Sequence, residues 1–492
     1  MQLLNFYTFL MVLFNFKLYF NDIVASNRKD NKSTLYMRKI LIIGAGRSCS
    51  SLIKYLLDKS TAENLQITIG DVSLKNAEAI IDNHKNATAI QLDVFNTDER
   101  ITAIKNADIV ISMLPARFHI EVAKDCITYT KHMVTASYIS DEMKALDADV
   151  KAKGLVFMNE IGLDPGIDHM SAMQIIDKIH DQGAKMLLFE SFTGGLVAPE
   201  SDTNLWNYKF TWNPRNVVLA GQGGAAMFIQ ENTYKYIPYH KLFRRTEFLT
   251  IDGYGKFEGY ANRDSLKYRS MYNLDNIPTM YRGTIRKVGF SRAWNVFVQL
   301  GMTDDSYTIE NSENLSYRDF TNLFLAYSPT DSVELKFRSY LNIQQDDMMW
   351  DKFLELDIFN PTKKTGLKNA TPAQMLQKIL SEKWTLEADD KDMIVMHHKF
   401  GYEYNNEKHQ IESSMVIKGD DQTYTAMAKT VGLPVAMATL RILNGDITTP
   451  GVQLPILKEV YEPILKELEE YGITFVEKET PYLGYNPNTI KE

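Results

Sequence analysis

Arg38-Lys-Ile-Leu-Ile-Ile-Gly44-Ala-Gly46-Arg-Ser-Cys49-Ser-Ser-Leu52 is the stretch whose reading decides the fold. An apolar run, Ile40 to Ile43, has the length and composition of a buried strand. It enters a glycine turn, after which Leu52, Ile53, Leu56 and Leu57 recur at helical spacing. Strand, glycine turn and helix in that order open a dinucleotide-binding fold. Gly44 permits the tight turn and Gly46 lets the main chain approach a pyrophosphate. The helix start offers unpaired N–H groups and a partial positive charge. Cys49 stands where a third glycine is usual, and it is small enough for close helix–strand packing.

A Gly-x-Gly turn alone is weak evidence; the flanking sequence strengthens it. Leu65 to Asp71 reads as a second strand ending in an acid, 25 residues past Gly46. That is near the spacing expected for a carboxylate that holds the adenosine ribose hydroxyls. Strand and helix then alternate. The predicted helices are Ser73 to His84, Asn96 to Lys105, Ala116 to Thr128 and Asp141 to Lys153. The predicted strands are Ala87 to Leu92, Asp108 to Leu114, Met133 to Ala136 and Leu155 to Met158. Six strands with helical crossovers make a doubly wound parallel sheet, an α/β Rossmann domain. The residues placed against the cofactor are Gly44, Gly46, Arg47 and Ser48 at the turn and Asp71 after the second strand. Leu92 and Asp93 follow the third strand, and Leu114 and Pro115 the fourth.

The chain has 492 residues, too long for one compact core, so two or three domains are expected. A net charge of −8 without a long basic run speaks against nucleic acid and acidic membranes. The 2 cysteines, Cys49 and Cys126, suggest no disulfide framework, which fits a cytoplasmic protein. Residues 1–36 are an apolar stretch followed by a polar linker. No positive residue precedes the apolar part and no clear cleavage site follows it. The reading is an over-long start with the natural one at Met37; the alternative is a membrane anchor.

Beyond Asn159 the pattern changes. A helix spans Met170 to Gln182. Lys185 to Thr193, Phe248 to Gly253 and Thr284 to Gly289 read as strands of a second, larger mixed sheet. Met393 to Phe400 and Glu407 to Val416 read as its hairpin. Asp346 to Glu382 is helical with a break at Asn360-Pro361. The domain reading is an extension at 1–36, a Rossmann domain at 37–165 and a substrate and dimerisation domain at 166–429. The second domain carries a helical subdomain at about 318–385. Residues 430–450 pack back on the first domain, and 451–492 form a C-terminal segment. His397-His398 lies on one strand, so the rings point to opposite faces, and no metal site is expected.

Ser137-Tyr-Ile-Ser140, Asn159-Glu-Ile-Gly-Leu-Asp164-Pro-Gly-Ile-Asp168-His169, Gly194-Gly-Leu-Val-Ala-Pro-Glu200, Tyr208-Lys-Phe-Thr-Trp212, Asn262-Arg-Asp-Ser265, Arg282-Gly-Thr-Ile-Arg286 and Thr430-Val-Gly-Leu-Pro434 carry a resemblance. From about Met37 onward the chain resembles the saccharopine dehydrogenase family, on its glutamate-forming branch. The resemblance implies an NAD(P)-dependent oxidoreductase of lysine metabolism. It would interconvert saccharopine with glutamate and 2-aminoadipate 6-semialdehyde, as a homodimer acting on a small amino-acid substrate. It places Ser137, Tyr138, Asp164, Arg263, Thr284 and Arg286 at the substrate, with Asp164 and Tyr138 catalytic. A substrate with three carboxylates needs planar, bidentate cations, which arginine supplies. Ser137 and Tyr138 follow the fifth strand, at the edge where ligands sit. Asp168 and His169 are read as shaping or capping the next helix. Family members often carry a cysteine just before the Gly-Gly pair; here it is Thr193.

Two rival readings stand beside this one: an imine reductase of polyamine synthesis, and a non-catalytic nucleotide-binding scaffold. Arg263 and Arg286 favour an anionic substrate over a polyamine. For the cofactor, Asp71 predicts NAD over NADP. A free carboxylate would face a 2′-phosphate with like charge, roughly 4 kcal/mol per unit charge at about 4 Å in an effective dielectric of about 20. Lys75 could offset part of this.

Overall fold

A computed structural model of the protein describes residues 37–484, so the readings of 1–36 and of the last eight residues lie outside the described residues. The first sheet is built from β1 (Arg38–Ile43), β2 (Leu65–Asp71), β3 (Ala87–Gln91), β4 (Ile109–Ser112), β5 (His132–Val134) and β6 (Val156–Met158). The second is built from β7 (Lys185–Val197), β8 (Ala226–Gln230), β9 (Thr233–Ile237), β10 (Thr246–Ile251), β11 (Gly255–Ala261), β12 (Thr279–Lys287), β13 (Asp392–Tyr404) and β14 (Glu407–Lys418). Two late strands, β15 (Gly451–Gln453) and β16 (Val476–Thr480), complete the sheets.

The first sheet has seven strands, not the six expected, in the order β15-β6-β5-β4-β1-β2-β3. Every pairing in it is parallel. Ile40 to Ile43 are buried on both faces, as a parallel sheet covered by helices demands. The chain leaves β1 toward β2 and β3 and later returns to the other side through β4. The crevice at the carboxyl ends of β1 and β4 is therefore the switch point of a doubly wound sheet.

The helix α1 (Ser50–Lys59) buries Leu52, Ile53, Leu56 and Leu57 against this sheet. After β2, α2 (Leu74–Ile81) starts where the Ser73 hydroxyl accepts the Asn76 N–H. A longer helix, α3 (Ile167–Asp181), leads out of the first domain.

The second sheet runs β10-β11-β12-β7-β13-β14-β16, with β8 and β9 joined at β12. One of its faces (Phe189, Met280, Ile394, Met396) shares a core with the first domain. Its other face (Phe192, Tyr281, Ile285, Met393, Val395) packs with the helical insertion around Trp206, Trp294 and Trp384. The insertion's helical run breaks around Asn360-Pro361 as expected, and the break is wide, from 356 to 371. Met348–Glu355 and Pro372–Trp384 are separate helices, because the Asn360-Pro361 segment between them is irregular.

Next comes α4 (Ala426–Asn444), capped by the Thr425 hydroxyl on the Ala428 N–H. It is long and apolar enough to cross a membrane, yet 78% of its most apolar window is buried inside the protein. It packs on α1 so closely that a Cβ on Gly432 would stand 2.7 Å from the Leu52 nitrogen. The segment after 450 is not a unit of its own: β15 extends the first sheet beside β6 and β16 extends the second beside β14. Between them α5 (Lys458–Glu469) packs on α3.

Candidate active site

At the crevice of the first sheet the turn residues stand as the sequence implies. Gly44 has φ +105, and a Cβ there would lie 2.8 Å from the Met113 carbonyl oxygen, so only glycine fits. Around Gly46 the space is open, with no atom within 4 Å of where a Cβ would stand. Arg47 is exposed and Ser48 half-buried in the short helical turn Arg47–Cys49, whose start faces that space. Cys49 is packed inside, and burial pushes its thiol up to about 12, so it is structural. Pro115 is exposed and Leu114 half-buried past β4. Open space, a helix start and a switch point fit a dinucleotide.

Three of the residues placed against the cofactor have structural duties. The Leu92 side chain is buried against Gly70, while Asp93 accepts the Phe95 N–H at 3.0 Å and shapes its own turn. Asp71 is a strut: Oδ2 accepts the Ala45 N–H at 2.8 Å and Oδ1 accepts the Ser73 N–H at 2.9 Å. Its carboxylate ties the glycine turn to the end of β2.

Beyond β5 and β6 a buried polar cluster joins the two domains. The Tyr138 hydroxyl donates to Asp164 Oδ1 at 3.0 Å. Arg282 Nη2 reaches the same oxygen at 2.8 Å and Asp168 Oδ2 at 2.6 Å. Asp168 Oδ1 accepts the Gly166 N–H at 2.6 Å, so this residue both shapes the start of α3, as expected, and holds Arg282. Glu160 accepts from Tyr268 at 2.9 Å and pairs with His169 Nε2 at 3.0 Å. The Ser137 hydroxyl bonds His119 Nε2 at 2.7 Å, and His119 Nδ1 bonds Ser112 at 2.8 Å.

These contacts tune the protons. Burial raises the Asp164 carboxyl above its ordinary value, against the pull of Arg282. Burial also acts on Asp168, but His169, Arg282 and the Gly166 N–H outweigh it and hold that carboxyl below its ordinary value. Burial and then Asp164 push the Tyr138 phenol well above its usual range. Tyr138 is thus a protonated donor beside a carboxyl poised to exchange a proton. Burial depresses His119 to about 4, so it is neutral near pH 7.

Alternation along β12 puts Arg282, Thr284 and Arg286 on one face, the face toward the first domain. Their register partners on β7 are Ser191 for Arg282 and Thr193 for Thr284. Arg282 is neutralised by its aspartates, whereas Arg286 is not. It is 6% exposed, lies over the Tyr208 ring at 5.0 Å and gives Nη1 to the Ile285 carbonyl at 2.8 Å. Its Nε has no hydrogen-bond partner, and it makes no ion pair among the described residues. Glu258 lies opposite in register but spends its carboxylate on the Gly289 and Ser291 N–H groups. The hydroxyls of Thr193 and Thr211 are also buried without partners, and Thr211 Oγ1 lies 3.0 Å from the Cβ position of Gly195. Orphaned buried groups on one face call for a polar partner, water or ligand. Arg263 lies apart from these, exposed at the rim with its guanidinium 5.6 Å from the Tyr138 ring centroid. Arg282, Asp168 and Glu160 are the members the sequence reading left out of the site. Period-two alternation from Thr284 and Arg286 could have found Arg282.

His397 and His398 part to opposite faces, one bonding Ser414 and the other Ser171.

Residues 40–158 match the model of the saccharopine dehydrogenase NADP binding domain, and residues 162–473 that of the saccharopine dehydrogenase C-terminal domain. The chain is 32% identical to saccharopine dehydrogenase [NADP(+), L-glutamate-forming] of Saccharomyces cerevisiae, over 90% of this chain and 99% of that one. It is likewise 32% identical to the enzyme of the same name from Pyricularia oryzae, covering 99% of it. It matches the mitochondrial alpha-aminoadipic semialdehyde synthase of Rattus norvegicus at 32% identity but spans only 47% of that longer protein. The solved apo saccharopine dehydrogenase (L-Glu forming) from Saccharomyces cerevisiae superposes with a TM-score of 0.81 and covers 90% of this chain.

These findings overturn the expected preference for NAD. The matching domain is an NADP-binding one, and the two fungal relatives are NADP(+) enzymes by name. The physical reason lies in Asp71, whose oxygens already serve two main-chain N–H groups. Like-charge repulsion of a 2′-phosphate needs a carboxylate free to face the ribose, and this one is held by the main chain. With both domain models matched and the fold superposed along nearly its whole described length, the chain belongs to the saccharopine dehydrogenase family.

Proposed function

We propose that the protein is an NADP-dependent, L-glutamate-forming saccharopine dehydrogenase. The observation that carries this reading is Arg286, a buried guanidinium without an ion-pair partner among the described residues, on the same sheet face as the Tyr138–Asp164 pair's anchor Arg282. A buried cation left unpaired calls for an anionic ligand. Arg286, with Arg263 at the rim, suits the carboxylates of a substrate that joins lysine and glutamate skeletons through a secondary amine. Polyamines would meet the wrong charge.

In this reading the Gly44–Ser48 turn and the Leu114-Pro115 edge hold the dinucleotide. When bound, NADP+ supplies the acceptor for the hydride leaving the carbon attached to the secondary amine. Thr284 and the orphaned Thr193 hydroxyl offer hydrogen bonds to the substrate's polar groups. Asp164 takes the proton released from the secondary amine, and Tyr138 passes a proton between that carboxyl and the water that adds to the resulting imine. The carbon that lost the hydride is the lysine-side one; once water has added there, breaking that carbon's bond to nitrogen, with a proton returned to the nitrogen, gives glutamate and the semialdehyde. The neutral His119 orients Ser137 toward the same space. Burial of the cluster keeps bulk water from the reacting nitrogen.

The test is absorbance of reduced nicotinamide with purified protein, saccharopine and NADP+, and with glutamate, semialdehyde and NADPH in reverse. Turnover in either direction is expected; none in both overturns the reading.

A further inference from the structure

We propose that Glu160 is the positioning residue that holds Tyr138 against Asp164. Its main chain and side chain bracket the tyrosine from both sides. The Glu160 N–H donates to the Ser137 carbonyl at 3.1 Å, and its Oε1 accepts the Ile139 N–H at 2.9 Å. Ser137 and Ile139 are the chain neighbours of Tyr138, so the residue between them is clamped at two points. The other oxygen, Oε2, is fixed by Tyr268 at 2.9 Å and His169 at 3.0 Å. Tyr268 in turn lies under the Arg282 guanidinium, 4.6 Å from ring centroid to Cζ. One carboxylate therefore sets the phenol and, through Tyr268, supports the guanidinium that shares Asp164 with it.

Backbone conformation points the same way. Glu160 has φ +52, in the left-handed region that glutamate seldom adopts, and it is 0% exposed. The strain turns the side chain back toward the Ser137–Ile139 segment. Burial pushes its carboxyl up, but His169, the Ile139 N–H and Lys267 outweigh that and hold it below the usual range. It stays charged at working pH, where a charged acceptor grips an N–H most firmly.

The kinetic arm of the test rests on the saccharopine reading; the exchange arm does not. Glu160→Asp keeps the charge but is one methylene too short to span both Ile139 and the His169–Tyr268 side. Aspartate also tolerates positive φ, so this variant keeps the fold. Glu160→Gln keeps the reach and loses the charge. Positioning predicts that Glu160→Asp speeds amide hydrogen exchange at Ile139 at least tenfold, while Glu160→Gln speeds it much less. Glu160→Asp is expected to lower kcat for saccharopine about 10- to 100-fold, with the NADP Kd unchanged and Glu160→Gln within a fewfold of wild type. Asp164 is faced by Tyr138, Arg282, Asp168 and His169. When Tyr138 drifts, Asp164 loses a hydrogen bond to its charged form, so the acid limb of kcat/KM moves up in pH. Adding Tyr138→Phe to Glu160→Asp is expected to lower kcat no further than the worse single variant. Unchanged Ile139 exchange in Glu160→Asp, or losses that multiply with Tyr138→Phe, overturns the proposal. A wild-type protein inactive on saccharopine overturns the functional reading alone, and the exchange result then decides the role of Glu160.

Discussion

Tyr138 and Asp164 are hydrogen-bonded at 3.0 Å at the edge of the first sheet, one following β5 and the other following β6. Burial and the neighbouring carboxyl keep Tyr138 protonated while Asp164 gains or loses its proton.

Asp164→Asn removes the basic oxygen while keeping the shape. The fold is expected to persist and kcat to fall on the order of 10²-fold, the range of general acid–base catalysis. Because burial raises the Asp164 carboxyl, its basic form is lost as pH falls through a value above that of an ordinary aspartate. Saccharopine oxidation should therefore show an acid limb in kcat/KM that disappears in Asp164→Asn. A retained limb in the variant removes Asp164 from proton transfer.

Arg286→Met separates binding from folding. Losing a desolvated partner of the substrate carboxylate should weaken saccharopine by about 2–5 kcal/mol. The same change removes a buried, unpaired charge, so the ligand-free protein should melt higher, by roughly 1 kcal/mol or more in stability. Arg263→Ala, at the exposed rim, should cost only about 1 kcal/mol in substrate binding. Calorimetric titration and thermal melts read both effects; an unchanged saccharopine affinity in Arg286→Met removes that residue from the site.

Asp71→Ser should weaken NADP and NAD together, since it removes the bond that ties the glycine turn to β2 and the bond that shapes the turn into α2, each about 1.5–3 kcal/mol as a bond to a charged group. Lys75, exposed in the first turn of α2, has no such structural duty, and Lys75→Ala should weaken NADP selectively. Fluorescence titration of each cofactor decides. A shift of the NADP/NAD ratio in Asp71→Ser would mean that the carboxylate reads the ribose after all.

Folding stability should drop below about pH 6.5. Burial depresses His119 and His397 to about 4 and His398 to about 3. The unfolded chain binds protons on these rings first, so acid favours unfolding. Between the unfolded value near 6.5 and the folded one, His119 and His397 each withdraw up to about 3 kcal/mol and His398 up to about 5 kcal/mol. Urea unfolding at pH 7.5 and pH 5 measures this, and His119→Gln should shrink the difference. Equal stability at both pH values would contradict the buried, neutral assignment.

The parts of the molecule legible in the sequence are those whose signal is local. The run Ile40–Ile43, the Gly44–Gly46 turn and the strand Leu65–Asp71 are continuous patterns, and the structure has them where the pattern places them. By contrast, β15 is three residues whose only claim to be a strand is β6, almost three hundred residues earlier. Nothing in Gly451-Val-Gln453 announces that partner. At the site, Asp164 and Tyr138 were visible through motif, but nothing in the same motif singled out Glu160. Its burial and its positive φ are properties of the assembled fold. Asp71 shows the opposite failure: spacing gave it a ligand, and the structure gives it two main-chain N–H groups.

The late arrival of β15 has a consequence for synthesis on the ribosome. The open edge of β6 lacks its neighbour until about 290 further residues, from Met158 to Gly451, have been made. At roughly 5–20 residues per second that is about 15–60 s. Throughout that interval the nascent first domain carries a bare strand edge able to pair with another chain. The α4 surface that covers α1 is missing for nearly as long. Nascent-chain protection, rather than the stability of the finished enzyme, should therefore limit its yield in cells.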